Sequence, residues 1–126
     1  MKPITDWRAG YRTTGDTLAI PRGGTGWVEV EVTNRSRLTW SKTLGRFSVY
    51  LGYKITDPNT GRSVTGTNRG LLPSIVHPDQ SVAVNLPVDA PLEPGDYILE
   101  ISLVQADVGW FSDIGVAPIT MKLPAR

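Results

Sequence analysis

Hydrophobic and polar positions alternate with a period of two along most of this chain, the pattern of strands that bury one face. Between Trp27 and Thr33, Val28, Val30 and Val32 share one face, while Trp27, Glu29 and Glu31 share the other. Phe47, Val49, Leu51, Tyr53 and Ile55 alternate with Ser48, Tyr50, Gly52 and Lys54. Two further runs, Val82 to Val88 and Tyr97 to Leu103, repeat the pattern, and Thr17 to Ile20 and Ile119 to Leu123 are shorter examples. The expected core is Val28, Val30, Val32, Val49, Leu51, Val82, Val84, Leu86, Tyr97, Leu99, Ile101 and Leu103. Turn chemistry separates the runs: Asp57-Pro58-Asn59-Thr60-Gly61 reads as a type I turn, and Pro78-Asp79-Gln80 and Pro94-Gly95-Asp96 mark two more. No window of helix length carries a clean 3.6-residue period, so any helix is short.

Strands joined by turns, in a chain of 126 residues, predict one all-β domain rather than two. The approach Gly95-Asp96-Tyr97 to a long strand resembles the tyrosine corner of immunoglobulin-like domains, where a tyrosine hydroxyl bonds to backbone just upstream. Two residues on stands Leu99, where antibody domains have a cysteine, and the chain has no cysteine at all. The expectation is therefore an immunoglobulin-like antiparallel β-sandwich of about seven or eight strands, without a disulfide. Residues 1–15 read as an N-terminal arm and 16–126 as the sandwich.

Charge narrows the function. Thirteen basic side chains stand against 12 acidic ones, which gives no support to nucleic-acid binding. The basic residues concentrate in the first half and the acidic ones in the second; a sandwich in which both halves supply both sheets would bring them together. No apolar h-region and no long apolar run is present, so neither a secretory signal nor membrane insertion is expected, and the compartment stays open. Absent cysteine removes thiol catalysis and thiolate metal sites, and the single histidine, His77, sits in a turn-like context. Glu29 and Glu31 lie about 6.5–7 Å apart on one strand, near the spacing of paired catalytic carboxyls. They share one exposed face, though, whereas paired catalytic carboxyls stand across a cleft. Asp107 and Asp113 flank a loop without a calcium-loop pattern. No enzyme activity, metal or cofactor is expected.

Aromatic residues carry more information. Four Trp and four Tyr are present, several outside the core pattern. Trp110, Phe111 and Asp113 lie in the connection before the last strand, and Trp27 and Tyr50 project from outward faces. Flat rings beside carboxylates suit sugars, whose C–H faces stack while their hydroxyls need hydrogen bonds. Trp110, Phe111, Asp113, Trp27 and Tyr50 are thus candidate ligand-binding residues. Trp7, Arg8 and Tyr11, in the N-terminal segment, are candidates for holding a protein partner.

These segments also carry a resemblance. Val32-Thr33-Asn34-x-Ser36-x-x-x-Trp40, Leu51-Gly52-Tyr53-Lys54, Ala90-Pro91-x-x-Pro94-Gly95-x-Tyr97-x-Leu99-Glu100 and Val108-Gly109-Trp110-Phe111-Ser112-Asp113 resemble parts of one family. It comprises the immunoglobulin-like sandwich modules attached to bacterial glycosyltransferases, methyltransferases and polysaccharide-export ATPases. The similarity spans roughly residues 16–124, and the Val-Gly-Trp-Phe-Ser-Asp segment is its most specific part. The resemblance implies an accessory, non-catalytic domain that binds a polysaccharide or other glycan. The alternative is a structural or assembly subunit that meets a protein partner or its own copies through the arm, sheet edges and loop aromatics.

Overall fold

The computed structural model describes residues 8–40, 49–106 and 109–126. Nine strands run through them: β1 (Ala9–Arg12), β2 (Thr25–Asn34), β3 (Val49–Thr56), β4 (Ser63–Thr65), β5 (Gly70–Leu71), β6 (Ser81–Asp89), β7 (Gly95–Gln105), β8 (Gly109–Trp110) and β9 (Ile119–Ala125). A single 3₁₀ turn, Phe111–Ile114, is the only helical element among the described residues.

The strands form two antiparallel sheets. The smaller has the order β1-β2-β6. In the larger, β3 and β7 pair at the centre; β4 and β5 share the outer edge of β3, and β8 and β9 share the far edge of β7. Both halves of the chain supply both sheets. Alternation decides which side chains face inward. Val28, Val30 and Val32 on β2, Val84, Leu86 and Val88 on β6, Leu51, Tyr53 and Ile55 on β3, and Leu99, Ile101 and Leu103 on β7 are buried between the layers. This is an immunoglobulin-like sandwich, held without disulfides by interior packing. Its tyrosine corner is present: the Tyr97 hydroxyl donates to the Glu93 carbonyl at 2.8 Å.

Two expected core residues, Val82 and Tyr97, are only half-buried. Each sits near the start of its strand, Val82 on an edge strand of the smaller sheet, and both still pack against the core. Phe47 lies outside the described residues. The segment expected as an arm carries β1, paired with β2 from Ala9↔Asn34 to Arg12↔Glu31. The following residues then cross to the other layer. Leu18 N–H donates to the Lys122 carbonyl at 2.8 Å and Ile20 N–H to the Pro124 carbonyl at 3.2 Å, so this stretch lies parallel to β9 and covers its free edge. Ile20 thereby enters the core.

Candidate functional site

The Asn34-x-Ser36-x-x-x-Trp40 motif builds the interior. Asn34 is fully enclosed, and its amide nitrogen donates to the carbonyls of Leu38 at 2.7 Å and Val76 at 3.0 Å. Its amide oxygen accepts the Ser36 hydroxyl at 2.6 Å and the Ser36 N–H at 3.0 Å. One buried side chain so satisfies a turn that would otherwise bury unpaired backbone groups. The turn delivers Trp40 into the core, where it meets Phe111 edge-to-face with ring centroids 6.0 Å apart.

That contact corrects the expectation for Phe111, whose side chain is 0% exposed. Period two explains the difference: consecutive residues leaving a strand face opposite sides, so Phe111 points in and Trp110 points out. Asp113 is exposed in the 3₁₀ turn. The Ser112 N–H there donates to the Ser102 hydroxyl at 3.2 Å, which ties the turn to β7.

Trp110 belongs to a line of side chains across the outer face of the larger sheet. The pairings Leu71↔Tyr50, Tyr50↔Val104 and Val104↔Trp110 place these four residues in one row over β5, β3, β7 and β8. Gly52 makes room for the indole: a Cβ there would stand 2.8 Å from Trp110 Cη2. Lys54 Nζ lies 4.7 Å from the Trp110 ring centroid, and the Arg69 guanidinium carbon lies 4.4 Å from that of Tyr50. Tyr50 and Trp110, both anticipated, are therefore brought together, with Val104 between them. Lys54 was legible in principle, because it shares the outward parity of Tyr50 and Gly52. Arg69 was not, since it precedes a strand of only two residues.

Trp27 stands apart from this row. It projects from the outer face of the smaller sheet, opposite Pro87, and is 66% exposed. Glu29 and Glu31 share its face, and Arg12 stands opposite Glu31. The five candidate ligand residues thus divide between two opposite faces, the core and a turn.

The partner candidates are also dispersed. Trp7 lies outside the described residues. Arg8 is exposed, and its carbonyl accepts the Arg35 N–H at 3.2 Å. Tyr11 faces inward, and its hydroxyl accepts the Leu103 N–H at 2.9 Å. Burial pushes its pKa above the ordinary tyrosine value, against a smaller opposing effect from its bonds to Leu103 and Ser102. The structure makes Tyr11 a tie between the two sheets rather than a surface anchor.

No protein-family model and no curated protein matches the chain in sequence. Solved structures that it is similar to include PapD-like domain 7 of human CEP192, at 13% identity and a TM-score of 0.43, covering 100% of this chain and 92% of that one. Another is SSP-19, an MSP-domain protein-like family member of Caenorhabditis elegans, at 14% identity and a TM-score of 0.34, covering 87% and 94%. A family 123 glycoside hydrolase from Clostridium perfringens is similar at 10% identity and a TM-score of 0.48, but the match takes in 94% of this chain and only 27% of the enzyme.

Proposed function

We propose that the chain is a non-catalytic binding module that holds a polysaccharide against the outer face of its larger sheet. The carrying observation is the Leu71–Tyr50–Val104–Trp110 row. Neighbouring strands lie about 4.8 Å apart, so the row spans about 14 Å, longer than a single pyranose ring. Val104 is buried between the half-buried rings of Tyr50 and Trp110, and a row of this kind on a sheet face suits a polymer laid across it better than a small molecule sunk in a cleft. The resemblance to modules of polysaccharide-handling enzymes supports the same reading.

Tryptophan fluorescence titration with a panel of bacterial polysaccharides tests it. Trp110→Ala and Tyr50→Ala are expected to abolish binding while Trp27→Ala retains it. Loss in Trp27→Ala alone would move the ligand to the opposite face and overturn the proposal.

One observation favours a second reading, self-assembly. β4 is an edge strand of three exposed residues, Ser63-Val64-Thr65, with neither the lysine nor the proline that guards sheet edges. By contrast, Pro87 interrupts the donors of edge strand β6. Beside β4 runs a groove of about 310 Å³ lined by Tyr53, Val64 and Leu92, and Val64 and Leu92 are 69% and 83% exposed. A second copy pairing its own β4 antiparallel would cover both groove walls. Light scattering should then show a dimer that Val64→Lys dissolves; a monomer at all concentrations rejects it.

A further inference from the structure

We infer that the polysaccharide held on this face is an acidic one, its carboxylates taken up by Lys54 and Arg69. The inference rests on the glycan reading above and concerns the same row. Each ring of that row is capped by a cation, Trp110 by Lys54 and Tyr50 by Arg69. A neutral sugar that stacks on either ring must push its cation into water and returns nothing for the lost attraction. A uronic acid supplies a carboxylate to the displaced cation, so that stacking and charge pairing occur together. The resulting N⁺–H···O⁻ bonds are the stronger kind, and the Arg69 guanidinium can grip a carboxylate with two parallel donors.

Both cations are available for this exchange. Lys54 stands opposite Glu100 in the β3–β7 register, yet its ammonium sits over the indole. Among the described residues neither Lys54 nor Arg69 forms an ion pair. The two faces of the sandwich also differ in sign. The larger sheet presents Lys54, Arg69 and Lys122 against Glu100, with Asp96 neutralised by Arg126 at 3.0 Å. The smaller presents Glu29, Glu31 and Asp89 against Arg12 and Arg35, whose guanidinium lies over Gly10. An anionic chain approaching the molecule is steered to the face that carries the row.

The test measures binding of polygalacturonate, alginate and hyaluronan, each beside its carboxyl-reduced neutral counterpart, at low and high salt, with single-stranded DNA as a further polyanion. The expected result is at least about tenfold tighter binding of an acidic polymer than of its reduced form, weakened by salt. Lys54→Gln and Arg69→Gln should each weaken the acidic polymer by about tenfold and leave the reduced one bound at least as tightly, since no cation then has to be displaced from the ring. Both side chains lie on the surface, and circular dichroism confirms that the variants fold. Equal affinity for acidic and reduced polymers overturns this inference and leaves the glycan reading standing. Wild-type affinity in both glutamine variants, or equal binding of DNA, also overturns it. Binding of neither polymer form removes the glycan reading as well.

Discussion

The hydroxyl of Tyr11 accepts the backbone N–H of Leu103 at 2.9 Å, joining the first strand of one sheet to the central strand of the other. The bond fills a gap. β9 pairs with β7 as far as Ile101 and β8 pairs with it from Val104 onward, so on that edge of β7 the intervening Ser102 and Leu103 have no strand neighbour and pair only with β3. Tyr11→Phe leaves that N–H unsatisfied and should cost about 1–3 kcal/mol in denaturant unfolding. The same side chain predicts alkaline behaviour. Burial, its largest influence, raises the Tyr11 pKa in the folded state, so the neutral form is favoured by folding. This contribution is complete below the unfolded tyrosine pKa and is lost as pH rises through the folded one. Urea melts across the alkaline range should show stability falling more steeply for the wild type than for Tyr11→Phe.

Asn34 is the most exacting polar residue of the interior. Asn34→Ala removes two donors and one acceptor from a buried turn and should cost about 3 kcal/mol or more, well beyond an average substitution. Thermal unfolding checks this. Asn34→Asp should also destabilise, because the Leu38 and Val76 carbonyls would then face a carboxylate instead of an N–H donor.

Neighbouring aromatic residues 110 and 111 should respond in opposite ways. Phe111→Ala opens a cavity against Trp40 and should cost about 3–5 kcal/mol. Trp110→Ala trims the surface and should cost much less. Equal losses in chemical denaturation would contradict their placement on opposite sides of the sheet.

Gly52 and Trp110 should be coupled. Gly52→Ala sets a methyl group 2.8 Å from the indole, so Trp110 must move, and its fluorescence should change. In a Trp110→Ala background the same alanine meets only Val104 Cγ2, at 3.2 Å, and should cost much less. A double-mutant cycle measures the difference; additive effects would mean that the indole does not rest on Gly52.

The strands were legible because period two is written directly into the sequence, as in Val28-Glu29-Val30-Glu31-Val32. The tyrosine corner was equally readable, since its parts lie within five residues of one another. Phe111 was misread because it was grouped with Trp110 as one loop pair, whereas the strand that sends the two to opposite sides, β8, is only two residues long and leaves no alternation to read. Tyr11 was misread for a different reason. Its partner is 92 positions away in the chain, and no local pattern announces such a bond. The row on the larger sheet was half legible: Tyr50 and Trp110 stood out as aromatics. Their alignment depended on the β3–β7–β8 register, which alternation alone does not set.

The parallel docking of residues 16–22 against β9 has a kinetic consequence. Their carbonyl and amide partners, from Asp16 to Arg22, are found about a hundred residues later, between Lys122 and Arg126. Loop closure of that length must precede any reward from these bonds, which slows folding of such topologies. During synthesis the early segment waits for nearly the whole domain to emerge before it finds its place. Completion of the sandwich is therefore a late, cooperative event, and stopped-flow refolding should place the burial of Ile20 at its end.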